Sequence, residues 1–175
     1  MTWTSFHRRG DVLRAVIAVA DERRDGALPR DVEGIADTFA DDLELLGTLQ
    51  LKWHTRLAGR IEREQVHQPM DLRAAVVTAW QQTAAELPGI RAVIDHHRDH
   101  PADAATAQVM RKSAAKEHVL LAVMAGEASA SDQSAALAGA RIEGEARETM
   151  PVAAEPEHDL TRPTLLGRLR AALAA

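Results

Sequence analysis

Apolar residues recur along this chain at spacings of three and four, and no useful stretch alternates with the period of two that a strand needs. Phe6, Leu13, Val16, Ile17 and Ala20 predict a first helix that starts between Ser5 and Asp11 and runs to about Asp25. Gly26 and Pro29 then act as stop signals. A short helix carrying Val32, Ile35 and Phe39 is expected next. Asp41 and Asp42 have the acidic character that suits a helix N-terminus. They open the longest predicted helix, which reaches about Gln65 on a stripe of Leu43, Leu46, Leu49, Trp53, Leu57 and Ile61.

Asp71 is the predicted cap of a helix with Leu72, Ala75, Val76, Ala79, Trp80 and Thr83 inward. Leu87-Pro88-Gly89 breaks it. Ile90, Val93, Ile94 and His97 form the inner face of a short helix to His100, and Pro101 fits the first turn of the next, which reaches about Ala125. After a loop at 126–132, an Ala-rich helix runs from Asp132 to Thr149 with Leu137 and Ile142 inward. Arg141–Glu145 and Glu143–Arg147 are i,i+4 pairs that add modest support. The pattern predicts an all-α fold: a single helical bundle of five to seven helices over residues 1–149. An acidic, Pro-containing linker follows over 150–163, then an amphipathic basic helix over 164–175.

Composition changes this picture in one respect. The chain has 175 residues and is 46 % hydrophobic, but 34 of those side chains are Ala. Leu, Ile, Val and Phe together number 38, so the core must be economical and packed partly through Ala. Arg outnumbers Lys 18 to 3. The absence of Cys removes disulfides, thiolate metal sites and Cys nucleophiles, and is compatible with the reducing cytoplasm, which is the expected location. A net charge of −5 argues against a nucleic-acid surface. Residues 127–160 carry eight acids and two bases, whereas 161–175 carry three Arg and no acid. No run approaches the roughly 20 apolar residues of a membrane span. His7-Arg8-Arg9 before an apolar stretch imitates a signal peptide, but Asp11 and Arg14 interrupt it, so an ordinary amphipathic helix is expected.

Eight His make metal and acid–base chemistry worth testing. His96 and His100 have the i,i+4 spacing of two ligands on one helix face, but fall on the flank of their helix. His54, His97 and His118 are the better inward set and the candidate metal ligands, with Glu44, Glu62 or Glu117 as additional donors. His118 lies over a seam of Ala107, Ala114, Ala115, Ala122 and Ala125 that invites close helix approach. The order of one His, an HxxxH pair and a further His is faintly similar to the hemerythrin-like di-iron bundle family. That likeness implies a metal- or oxygen-binding bundle. The carboxylates the family's motifs call for are replaced by Ala58, four after His54, and Val123, five after His118. Glu117 is adjacent to His118, the wrong offset for the ferritin-like Glu-x-x-His, and neither a Gly-x-Ser-x-Gly elbow nor a phosphate loop is present.

The C-terminal segment is the most suggestive feature. Leu165, Leu166, Leu169 and Leu173, with Arg168 and Arg170, follow the acidic linker as a tethered docking helix would. It can close its own bundle, dock in a partner or dimerise, with membrane contact the least favoured outcome. The expected function is therefore a non-enzymatic helical interaction or regulatory module, using the tail helix or an exposed bundle groove and no cofactor. One alternative is a metal- or oxygen-binding bundle using His54, His97 and His118. A second is a small hydrophobic ligand site between Trp53 and Trp80.

Overall fold

The computed structural model describes residues 3–151, with side-chain surroundings from Arg8 onward. Among the described residues every helix or strand is helical. In order they are α1 (Trp3–Arg23), α2 (Ile35–Thr38), α3 (Asp42–His67), α4 (Leu72–Glu86), α5 (Pro88–Asp99), α6 (Ala104–Met124) and α7 (Ala135–Glu148). None of them is long and apolar enough to cross a membrane. The linker from residue 152 and the C-terminal helix, with the side chains of Trp3 and Phe6, lie outside the described residues.

Local chemistry sets the helix ends. Asp41, Asp71 and Asp103 each accept a hydrogen bond from a backbone N–H three residues on, at Glu44, Ala74 and Thr106. Each satisfies a donor that the first turn leaves free. Pro88 occupies the first position of α5, where its missing N–H costs nothing, and Leu87 ends α4 and starts α5 in a single residue. Pro101 does not open α6 as expected; the capping carboxylate of Asp103 sets that start three residues later.

The core is continuous. Val16, Leu49, Trp53, Leu57, Ile61, Val76, Ile90, Leu121 and Ile142 are all fully removed from solvent. Each large side chain of this kind contributes about 1.5–3 kcal/mol on burial. Leu137 departs from expectation: it is 59 % exposed, because α7 turns the face of Ala135, Gly139, Ile142 and Ala146 toward the bundle instead. Leu72 likewise sits on the rim.

Two glycines permit close helix crossings. A Cβ on Gly89 would overlap the Ala20–Asp21 backbone of α1, and Gly89 N–H donates to the Asp21 carboxylate at 2.7 Å. A Cβ on Gly139 would overlap the His118 backbone, so α7 lies directly on α6. On the other side of α6 the neighbour is α3, and the two run parallel. Gln65 near the end of α3 donates to the Met124 carbonyl at the end of α6 at 2.6 Å. Asp41 and Asp103, the caps of the two helices, line one recess at the opposite end.

Candidate functional site

The interior of the bundle holds a charged cluster supported by five helices. Trp53 of α3 and Trp80 of α4 meet edge to face, with ring centroids 5.8 Å apart and planes at 74°. That contact fills the space in which a ligand was expected between them. The Arg91 guanidinium of α5 lies 4.8 Å from the Trp53 ring centre, a cation–π arrangement in a site that is only 5 % exposed.

Arg91 donates to Glu117 Oε1 at 3.3 Å and to Asp95 Oδ1 at 2.6 Å. Glu117 of α6, 4 % exposed, also receives the Trp80 indole N–H at 3.2 Å and His54 Nε2 at 3.3 Å. Asp95 passes the network on to Arg147 of α7, which donates to its two oxygens at 2.7 and 3.1 Å. Arg147 also donates to Glu143, one turn earlier on α7, at 2.7 Å. Glu143, again 4 % exposed, is held by both terminal nitrogens of Arg98 at 3.0 Å and by His118 Nε2 at 2.6 Å.

Three guanidinium groups therefore face three carboxylates, and their formal charges balance. Burial alone would raise the Glu143 carboxyl. The hydrogen bond from His118 and the charges of Arg98, Arg147 and Arg91 outweigh it and hold the group at about 2. Burial opposes ionisation of Glu117 too, and His54 and Arg91 still keep it below the ordinary glutamate range. Desolvation would lower Arg147, but Asp95 and Glu143 hold it above its usual value. Carboxylates fixed in this way are anchors for cations. They are not acids poised to exchange a proton near neutrality. Beside them a void of about 10 Å³, lined by Gln50, His54, Arg91, Arg98, Ser113 and Glu117, has room for about one water molecule.

The three candidate metal ligands are not brought together. His54 is committed to Glu117 and His118 to Glu143. His97 is half-buried, and its Nδ1 donates to the Val93 carbonyl one turn back at 2.9 Å. Among the described residues no group of three or more His, Cys, Asp or Glu side chains could hold a metal ion. Glu44 is tied to Arg9 at 2.8 Å on the surface, and Glu62 is exposed. His96 and His100 are exposed, with ring centroids 5.3 Å apart. The tail residues Leu165, Leu166, Arg168, Leu169, Arg170 and Leu173 lie outside the described residues.

Sequence reasoning missed the buried charges. Arg91, Asp95 and Arg98 follow one another at i, i+4 and i+7, which on an isolated helix reads as a solvated stripe. Glu143–Arg147 forms as the expected i,i+4 pair, but its carboxylate is interior. Arg141–Glu145 is displaced as well: Glu145 turns to Arg73 of α4 at 2.6 Å. The usable signal was Glu143 beside Ile142, one turn from Gly139 and two from Ala135, the face α7 buries.

Recesses open at the outer edge of the charged cluster, where Asp95, Arg98, Asp99 and Arg147 line one of about 520 Å³, and along the seam between α3 and α6. Gly47, Leu51 and His54 on α3 face Val109, Lys112 and Lys116 on α6 across a recess of about 310 Å³. Leu51 is 66 % exposed there. Toward the helix N-termini a second recess of about 370 Å³ is lined by Leu28, Leu43, Asp41, Asp42, Asp103 and Thr106. The seam thus has an apolar floor, an acidic end and a basic end. His54 joins the two regions, its ring reaching inward to Glu117 from the wall of the recess. No protein-family model, curated protein or solved structure matches this chain.

Proposed function

We propose that this chain is a non-enzymatic interaction module, and that the α3–α6 seam is a face that receives an amphipathic helix. The observation carrying this reading is the contrast in filling. The charged cluster is held by its own ion pairs under a polar recess lined by Asp95, Arg98, Asp99 and Arg147, while the seam is recessed along parallel helices with an exposed leucine at its centre. Helix-in-groove recognition needs an apolar floor for side chains at i, i+3, i+4 and i+7, with charges at the rim to set direction. Leu51, Val109 and Gly47 provide the floor; Lys112 and Lys116 mark one end, Asp41 and Asp103 the other. A cytoplasmic setting goes with this reading and is supported by the cysteine-free sequence.

The test uses a synthetic helical peptide with leucines at those spacings, glutamates at its N-terminus and arginines at its C-terminus. It is titrated into full-length chain in which Leu165, Leu166, Leu169 and Leu173 are replaced by Ser, so that the tail cannot compete. Fluorescence anisotropy of the labelled peptide should show saturable binding, weakened about tenfold by Lys112→Glu with Lys116→Glu, on the scale of one lost complementary charge contact. Binding that is absent, or indifferent to both lysines and to Leu51→Glu, counts against the seam as the receiving face.

A further inference from the structure

We infer that the recess around Leu51 on the α3–α6 seam is a binding site for a small amphiphilic carboxylate. This goes beyond helix docking and does not depend on it. The site has two parts that share a neck. The outer part is the recess of about 310 Å³, with Gly47, Leu51 and Val109 in its lining. The inner part is the void of about 10 Å³ beside Arg91 and Glu117. Gln50, His54 and Ser113 line both.

The inner part is short of acceptors. Arg91 lines it and is 5 % exposed, yet its Nε has no hydrogen-bond partner among the described residues. Gln50, also 5 % exposed, has its amide nitrogen 2.7 Å from Met110 Sδ, and a thioether is a weak acceptor. Buried donors without good acceptors are costly, so an oxygen acceptor brought to this place is held there. The void admits about one oxygen atom, in a position that a water can also hold.

The outer part sets the charge and shape of the ligand. None of the residues lining it is an acid, while Lys112 and Lys116 stand one helical turn apart on either side of Ser113. A carboxylate at the neck therefore lies between two ammonium groups, within reach of the Ser113 hydroxyl and the Gln50 amide. A cationic head is repelled there, and a neutral one gains nothing from the lysines. Gly47, Leu51 and Val109 receive the apolar body; Leu51 is 66 % exposed, and covering it removes apolar surface from water. At roughly 30 Å³ per non-hydrogen atom the recess admits about ten such atoms, the size of a medium-chain aliphatic acid. That ligand covers the floor a docked helix needs. The two exclude each other, and the acid's concentration sets how much of the seam is free.

Octanoate fits that size and is the probe. Isothermal titration calorimetry on the full-length chain should show a single saturable site with a Kd on the order of 100 µM. Octan-1-ol and octylamine should bind about tenfold more weakly or not at all. Gly47→Leu fills the recess from a position where an added Cβ meets nothing within 4 Å, and Leu is the better helix former, so the fold is kept. It should weaken octanoate about tenfold or more, with a thermal midpoint no lower than that of the native chain. Lys112→Glu with Lys116→Glu should weaken it about tenfold. Lys52→Glu with Arg111→Glu makes an equal change of net charge at exposed positions outside the recess, and should leave binding within about twofold. No saturable octanoate binding, octan-1-ol binding as tightly as octanoate, Gly47→Leu binding like the native chain, or equal losses in the two charge pairs would each overturn the assignment. Octanoate should also displace the helical peptide in the anisotropy titration. Peptide binding without octanoate binding refutes this inference alone, octanoate binding without peptide binding refutes the helix reading alone, and the absence of both refutes both.

Discussion

Helix α6 meets two neighbours in opposite ways. Against α7 it is packed as closely as backbone permits, with Gly139 on the His118 peptide and the Glu143 carboxylate held by three cationic or histidine partners. Against α3 it stands off, leaving recesses of about 310 and 370 Å³ and a leucine in solvent. The same helix thus has one side fixed by buried charge and one side open to solvent. Buried ion pairs are seldom chosen for stability, since an apolar replacement of equal shape is often as good. Their effect here is to fix the position of α5 and α7 on α6, so that the face toward α3 keeps its shape when unfilled.

The largest effect expected from breaking the fixed side is at Arg91. Arg91→Met leaves Glu117 buried without its guanidinium partner, a loss of about 3–5 kcal/mol. At about 2–4 °C per kcal/mol for a chain of this size, a thermal melt should fall by roughly 10 °C or more. Acid should attack the same region. The Glu143 carboxyl is lowered to about 2 from 4.5, so its contribution is complete above about pH 4.5 and is lost as pH falls toward 2. That contribution is about 3 kcal/mol, and urea midpoints across this window should fall steeply in the native chain and much less in Glu143→Gln.

A single kind of substitution made on both sides gives the smallest effects and the clearest contrast. Gly139→Ala forces a methyl into the His118 backbone and should destabilise by about 1–3 kcal/mol. Gly47→Ala adds a methyl where nothing lies within 4 Å and should stabilise α3 by about 0.5–1 kcal/mol. Urea denaturation of the two variants should give shifts of opposite sign; shifts of the same sign would mean the two sides of α6 are packed alike.

The helices were legible because their signals are local. Asp71 capping Ala74, the Leu87-Pro88-Gly89 break, and the burial of Trp53 and Trp80 all depend on residues a few positions apart or on one apolar stripe. The charged interior was not legible, because its pairing is a tertiary property. Arg91 meets Glu117 and Arg98 meets Glu143 across 26 and 45 positions, and nothing local tells a buried arginine from a solvated one. Leu137 was misplaced for a related reason. In an Ala-rich helix a lone leucine looks like the inner face, but α7 is positioned by Gly139 and Ile142. The histidines expected to face inward are half-buried, and they meet not one another but single carboxylates at His54 and His118 and the Val93 carbonyl at His97. The seam is a failure of packing between two helices, and periodicity carries no record of that.

The most direct measurement is amide chemical-shift mapping by NMR on the chain with Ser at the four tail leucines, before and after adding the amphipathic peptide. Shifts confined to residues 43–58 of α3 and 105–120 of α6, with α7 unchanged, are the predicted result. Shifts centred on α7 or on the Val66–Leu72 turn, with the seam silent, would contradict it.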